Sequence, residues 1–228
     1  MLSAAVLVPV ALVCVWLGGP WFLALLVVAT AGITVEWLQM ARNLASPAIG
    51  GANLRPLLVA RCARGIGLAY ILAAAAALAW LRADPAVGRA NVLFLLIVVW
   101  STDIVAYLVG RAIGGRRLAP HISPGKTVSG AIGGLAGACL VGIAASFAAT
   151  ATPAPLGRAA AVAGLLGLVA QAGDLLESYA KRRCGVKDSG RLIPGHGGLL
   201  DRLDALLAAA IVAAVLALAG GRGVVLWG

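Results

Sequence analysis

The chain has 228 residues, of which 62% are hydrophobic and only 11% are charged, and its formal net charge is +10. Soluble domains are closer to half apolar and a quarter charged, so this composition excludes a soluble globular fold, intrinsic disorder and a disulfide-rich scaffold. It predicts an all-α, polytopic integral membrane protein.

Long apolar runs define the predicted helices. Residues 4–35 contain no charged side chain, but one helix of that length would be about 48 Å long, against a hydrocarbon core of about 30 Å. Gly18, Gly19 and Pro20 interrupt this run, which predicts a helical hairpin whose first helix is retained rather than cleaved as a signal peptide. About seven helices are expected, with six or eight left open, near residues 2–18, 20–40, 65–81, 90–110, 127–149, 157–180 and 203–220.

Basic residues concentrate in three segments between these helices. Segments 41–64, 111–126 and 181–202 hold four, four and six of the chain's 18 Lys and Arg residues. Alternation through seven spans puts all three on one side, which the positive-inside rule makes cytoplasmic. We therefore expect a multi-pass protein of the cell (inner) membrane, with the N-terminus and the active site in the cytoplasm. The charge then indicates an anionic partner at the bilayer surface rather than nucleic acid.

The chain shows no internal repeat and no long linker. We expect a single membrane domain over residues 1–228, with N-terminal helices in 1–90 and the catalytic helices and loops in 91–228. The four cysteines are scattered and contain no CxxC pair, so they indicate neither a disulfide framework nor a zinc site.

Most of the acidic residues lie within or at the ends of apolar helices. A carboxylate in the bilayer interior costs at least ~2.5 kcal/mol, so such residues are functional candidates by default. Each acid could instead pair with a nearby arginine, but their gathering on the side of the basic segments favours a shared polar site. Oxygen ligands without a Cys/His cluster favour Mg²⁺, and carboxylates among many cations indicate a metal–polyphosphate site. The six acids are Glu36, Asp103, Asp174, Glu177, Asp201 and Asp204.

Helical spacing places two of these acids beside polar and basic residues. Positions four and seven or eight residues apart share one face of a helix. Two such faces are predicted, one formed by Asp103, Tyr107 and Arg111 and the other by Asp174, Ser178 and Lys181.

Two loops contain residues suited to phosphate. Ser123-Pro124-Gly125-Lys126-Thr127 precedes a helix and offers hydroxyls, backbone N–H groups and a cation, although a simple helix cap is the alternative. Glycines flank His196, which lets the backbone approach a ligand closely, although a hydrogen-bonded loop histidine would look the same in isolation.

The segment from Ser178 to Asp204 has the sequence SYAKRRCGVKDSGRLIPGHGGLLDRLD. It resembles the signature of the phosphatidate cytidylyltransferases (CDP-diacylglycerol synthases), in which Ser-x-x-Lys-Arg and Lys-Asp precede Pro-x-His-Gly-Gly-x-x-Asp-Arg-x-Asp. The resemblance continues upstream and covers residues from about 100 to 205, whereas the first 90 residues match only as apolar helices.

The resemblance implies transfer of a cytidylyl group from CTP to phosphatidate, giving CDP-diacylglycerol and pyrophosphate in phospholipid biosynthesis. It implies a Mg²⁺ cofactor held by Asp174 and Asp201, and leaves open a second metal or monovalent cation and a homodimer. The implied catalytic residues are Lys181, Arg182, Lys187, Asp188, His196, Arg202 and Asp204. The implied substrate-binding residues are Asp103, Tyr107, Arg111, Ser123, Lys126, Thr127, Ser178, Gly197 and Gly198.

Two other functions remain open. One is a related enzyme that acts on another lipid phosphate. The other is an ion-coupled transporter, since transporters also bury acids and interrupt helices at glycines. The many cations beside the acids and the absence of an inverted repeat in the sequence favour the enzyme.

Overall fold

A computed structural model describes residues 2–43, 54–148, 155–190, 192, 197–221 and 223–228. These residues form seven helices and a two-stranded hairpin, and six of the helices are long and apolar enough to cross a membrane. The predicted all-α polytopic fold is therefore confirmed. In chain order the elements are α1 (Leu2–Leu17), α2 (Gly19–Arg42), α3 (Leu54–Ala83), α4 (Gly88–Ile113), β1 (Arg117–Ala119), β2 (Ser123–Thr127), α5 (Val128–Ala148), α6 (Leu156–Arg183) and α7 (Leu200–Gly220).

The first two helices separate at the predicted glycines. Gly18 and Gly19 have φ angles of 66° and 51°, a left-handed conformation that costs glycine little because it has no Cβ. Pro20 lies in the first turn of α2, where its missing N–H has no helical partner to lose. At 16 residues, α1 is shorter than the six spanning helices.

Several helices extend further into the basic segments than the sequence predicts, α3 most of all. Helix α3 begins at Leu54 rather than near residue 65, and α6 continues to Arg183 rather than ending near residue 180. Cations at the C-terminus of α6 favour this extension because they complement the negative end of the helix dipole. Parts of the expected loops 41–64 and 181–202 are therefore helical.

The β1–β2 hairpin between α4 and α5 was not predicted. Its strands are antiparallel, with Arg117 opposite Thr127 and Ala119 opposite Ser123. Helix α4 ends before Gly114, which has a φ of 66°. The hairpin pairs backbone groups that would otherwise lie unpaired in an irregular loop.

Helices α4 to α7 pack against their neighbours in chain order, and α3 lies against α2 and α7. The α4–α5 interface is especially close. A Cβ on Gly130 would lie 2.6 Å from the carbonyl oxygen of Ala106, and one on Gly134 would lie 2.7 Å from that of Thr102. Backbones approach this closely only where residues are small, as the Gly- and Ala-rich composition leads one to expect in lipid.

Polar side chains tie chain segments together at the end of the bundle where α3 meets α4. Arg82 donates from Nε to the carbonyl oxygen of Val15 at 2.7 Å, at the C-terminus of α1. Asp84 Oδ2 accepts a hydrogen bond from the backbone N–H of Gly223 at 2.9 Å. The predicted site residues lie at the opposite end.

Candidate functional site

An open cavity of about 610 Å³ lies where α4 ends and α5 begins. Its walls are formed by α4, the β1–β2 hairpin, the start of α5 and one face of α6. The fold thus brings together residues that the sequence singled out in three separate segments. The predicted site residues that line the cavity are Asp103, Tyr107, Arg111, Ser123, Lys126, Thr127 and Asp174.

An ion pair between Lys126 and Asp174 crosses this cavity. Both side chains are 28% exposed, so water and ligands can reach them. Ser178 donates from Oγ to Asp174 Oδ1 at 3.4 Å, as their predicted common helix face requires. Asp103 interacts electrostatically with both members of the ion pair. Carboxylate oxygens and a cation therefore face one space, a combination that suits a metal-bound phosphate.

Thr127 has a structural role as well as a place in the cavity wall. Its Oγ1 accepts a hydrogen bond from the backbone N–H of Gly130 at 3.0 Å, which caps the N-terminus of α5. The helix-cap alternative for the Ser123–Thr127 segment thus holds for Thr127, while Lys126 reaches Asp174.

Basic side chains border the hairpin and the rim of the cavity. Arg182 donates from Nε to the carbonyl oxygen of Ile122 at 3.3 Å, which links the end of α6 to the hairpin. Arg111 donates to the hydroxyl of Tyr107 at 2.9 Å on the exposed face of α4. Both arginines are exposed.

A second charged cluster joins α6 to α7. Lys181 Nζ lies 2.6 Å from Glu177 Oε2 and 2.7 Å from Asp201 Oδ1. The three side chains are 12%, 7% and 12% exposed, so the charges are almost completely withdrawn from solvent. Asp204, one turn further along α7, interacts electrostatically with both Asp174 and Lys181. The two charged clusters are therefore neighbours.

Asp201 also holds the segment between α6 and α7. Its Oδ2 accepts hydrogen bonds from the backbone N–H groups of Ser189 at 3.0 Å and Gly198 at 2.9 Å. Gly197, just before, has a φ of 83°, in the left-handed region that favours glycine. The carboxylate thus joins two points of the segment that connects α6 to α7, Ser189 and Gly198.

Glu36 of α2 contacts the same segment, a role that sequence analysis did not identify. Its carboxylate accepts hydrogen bonds from the backbone N–H groups of Leu199 at 3.0 Å and Leu200 at 2.8 Å, and from the hydroxyl of Ser189 at 3.2 Å. An acid in an apolar helix indicated a functional residue. Its contacts could not be predicted, because its partners lie more than 150 residues away in the chain.

The other predicted residues are not brought into the cavity. Lys187, Asp188 and Arg202 are exposed and do not belong to its wall, and His196 lies outside the described residues. Their predicted roles stay predictions, as do those of Ser178, Lys181, Arg182, Asp201, Asp204, Gly197 and Gly198, which lie around the cavity rather than in its wall.

The donor set fits magnesium better than a thiolate-bound metal. Among the described residues, no three His, Cys, Asp or Glu side chains come close enough to form a metal cluster made of protein alone. Mg²⁺ is commonly held by one or two carboxylates together with substrate phosphates, and Asp174 offers such a ligand to the cavity.

An apolar groove of about 380 Å³ lies on another side of α6. Side chains of α2, α3 and α6, among them Trp37, Ile66 and Leu176, form its walls. Glu177 and Asp204 also line it, so the groove reaches the second charged cluster.

Comparison with known proteins places these features in a family context. Residues 57–219 match the sequence profile of the cytidylyltransferase family. The chain is 54% identical over 145 residues to a phosphatidate cytidylyltransferase of Brucella abortus (strain 9-941), which covers 63% of the chain and 53% of that protein. It is 42% identical over 159 residues to one of Pseudomonas aeruginosa, covering 70% and 58%. It is 34% identical over 212 residues to one of Rickettsia bellii, covering 91% and 84%. The chain thus spans little more than half the length of the first two relatives.

Proposed function

The chain belongs to the cytidylyltransferase family, and from this premise we propose that it transfers a cytidylyl group from CTP to phosphatidate, forming CDP-diacylglycerol and pyrophosphate. The observation that carries the proposal is the cavity in which predicted site residues of α4, the hairpin and α6 meet at one end of a membrane-spanning bundle. The relatives named above are phosphatidate cytidylyltransferases, which supports the choice of substrates.

The proposed reaction brings two anions together. An oxygen of the lipid phosphate attacks the α-phosphorus of CTP, a new P–O bond forms, and the bond from the α-phosphorus to the oxygen bridging to the β-phosphorus breaks. Pyrophosphate leaves with that bridging oxygen. Catalysis of such transfers consists mostly of positioning and neutralising phosphates. Lys126 of the hairpin and Arg182 of α6 supply cations beside the cavity, and Lys181 lies in the neighbouring cluster between two carboxyl groups.

We assign the metal ligands to Asp174 and Asp201. Asp174 fits this role because its carboxylate faces the cavity, whereas Asp201 would exchange some of its present N–H and Lys181 contacts for the ion. Magnesium would neutralise phosphate oxygens that the cations do not reach. Lys126, which neutralises Asp174 in this structure, is placed to contact a phosphate in the same cavity.

The lipid is proposed to approach through the apolar groove. Its nearly apolar walls suit an acyl chain, and its inner side reaches Glu177 and Asp204 beside the charged clusters. The cavity would face the cytoplasm of a bacterial inner membrane, where CTP is available and where the three basic segments are expected.

The test is conversion of labelled CTP by the purified protein in detergent micelles that contain phosphatidate. We expect a CDP-lipid product with Mg²⁺ and none with EDTA. Asp174→Asn should lower turnover at least 100-fold without loss of folding, whereas Asp84→Asn, at the opposite end of the bundle, should keep it. An ether-linked lipid phosphate as the second substrate tests the related enzyme. If the protein forms no CDP-lipid but conducts cations across vesicle membranes, the enzyme proposal is refuted and a transporter is favoured.

A further inference from the structure

Glu36 is the most completely enclosed acid that the structure describes outside the proposed reaction. It is 1% exposed and lies on α2, before the segment that matches the family. An isolated buried carboxylate is strongly unfavourable unless it is paired or fully hydrogen-bonded. The contacts of Glu36 therefore have to account for its presence.

The carboxylate of Glu36 takes the place of a helix cap for α7. Leu199 precedes α7 and its side chain supplies no cap hydrogen bond. The N–H groups of Leu199 and Leu200, which a helix start leaves without intrahelical partners, donate to the two oxygens of Glu36 at 3.0 and 2.8 Å. The negative charge also complements the positive end of the helix dipole. Among the described residues, none of the ion pairs involves Glu36, so these donors are what stabilises its charge.

The backbone closes tightly around this carboxylate. A Cβ on Gly190 would overlap the Glu36 carboxylate, and one on Gly198 would lie 2.8 Å from its Oε2. Two glycines of the segment between α6 and α7 thus pack where no larger residue fits. Such packing is expected where the carboxylate itself sets the path of the backbone.

Ser189 connects Glu36 to Asp201. Its hydroxyl donates to Glu36 Oε2 at 3.2 Å, and its backbone N–H donates to Asp201 Oδ2 at 3.0 Å. One residue is therefore held by two acids, one from α2 and one from α7. A shift of Ser189 or of the first turn of α7 would move Asp201 directly.

We propose that Glu36 is a positioning residue, which fixes Ser189 and the start of α7 and thereby aligns Asp201 for binding of the nucleoside triphosphate. This inference rests on the function proposed above. Glu36 touches no substrate in this scheme and acts only through the groups that it holds. Its removal should therefore weaken CTP binding rather than the chemical step.

The test compares Glu36→Gln with Asp84→Asn in the 228-residue chain. Both substitutions replace a carboxylate that accepts a backbone N–H from a distant segment by an amide of the same shape, but Asp84 lies at the far end of the bundle. We expect Glu36→Gln to raise KM for CTP at least tenfold with a change in kcat below threefold, and Asp84→Asn to leave both unchanged. Trypsin should also cut after Lys187 at least fivefold faster in Glu36→Gln.

Ser189→Ala is the second variant. It removes one of the contacts to Glu36 and is a milder change, which keeps the test available if Glu36→Gln does not fold. It should raise KM for CTP in the same direction, and its effect should be largely absent when Glu36 is already Gln. An unchanged KM in Ser189→Ala and in a folded Glu36→Gln would overturn the inference while leaving the proposed function intact. If the unaltered protein forms no CDP-lipid, the proposed function fails. The positioning role of Glu36 is then tested by proteolysis alone, and equal trypsin cleavage of Glu36→Gln and Asp84→Asn would refute it.

Discussion

Replacing Lys181 by Met should reveal how strongly the second charged cluster stabilises the fold. Lys181 is the cation between Glu177 and Asp201, at 2.6 and 2.7 Å, and all three side chains are at most 12% exposed. The cluster holds two carboxyl groups around one cation, so the substitution leaves both carboxyl groups without a cationic partner. Removing one partner from a buried ion pair costs ~3–5 kcal/mol because the remaining charge is left uncompensated.

The matched control is Lys126→Met. Lys126 also pairs with an acid of α6, but that pair is 28% exposed on both sides, and exposed pairs contribute about 1 kcal/mol or less. For a chain of this size, each kcal/mol shifts the midpoint of thermal unfolding by about 2–4 °C. We therefore expect Lys181→Met to lower the midpoint by roughly 6–20 °C and Lys126→Met by about 4 °C at most.

Thermal unfolding in detergent, followed by circular dichroism, measures both variants. Combining Lys181→Met with Glu177→Gln removes one of the two unpaired charges and should recover a large part of the loss. Equal midpoints for Lys181→Met and Lys126→Met would refute the reasoning, because the burial of the cluster would then have no energetic consequence.

Two further predictions concern packing and capping. Gly134→Val places a side chain against the carbonyl oxygen of Thr102 and should lower the free energy of unfolding by ~1–3 kcal/mol. Gly157→Val is the control, because a Cβ there meets nothing within 4 Å, and it should leave the unfolding midpoint nearly unchanged. Equal midpoints for the two variants would contradict the close α4–α5 contact. Thr127→Ala removes the hydrogen bond that caps α5 at Gly130 and should lower the free energy of unfolding by ~1 kcal/mol. Thr127→Ser keeps the hydroxyl and should retain most of that stability in the same measurement. A serine variant as unstable as the alanine variant would argue against the cap.

The sequence predicts the helices well because lipid imposes a simple rule on them. Long apolar runs must be helical, and the glycines before Pro20 mark the break between α1 and α2. The β1–β2 hairpin was missed because residues 117–127 contain many polar residues and turn formers. No rule as strong as the one for apolar runs in lipid specifies the structure of such an eleven-residue connection.

The candidate site was predictable in its members more than in its contacts. Helical spacing identified Asp174 and Ser178 as neighbours because both lie on one helix. The pairing of Lys126 with Asp174, and of Glu36 with the start of α7, joins elements that are far apart in the chain. Such contacts depend on how the helices pack, which the periodicity of one helix does not specify.

The close contact between α4 and α5 has a consequence for which part of the cavity wall can move. With Gly130 against Ala106 and Gly134 against Thr102, the two backbones touch directly at these positions. Moving α4 away from α5 would lose this close packing, so this part of the wall is expected to stay fixed. Motions that open the cavity are therefore expected in the hairpin strands, whose described contacts with α6 include the Arg182–Ile122 hydrogen bond and the Lys126–Asp174 ion pair.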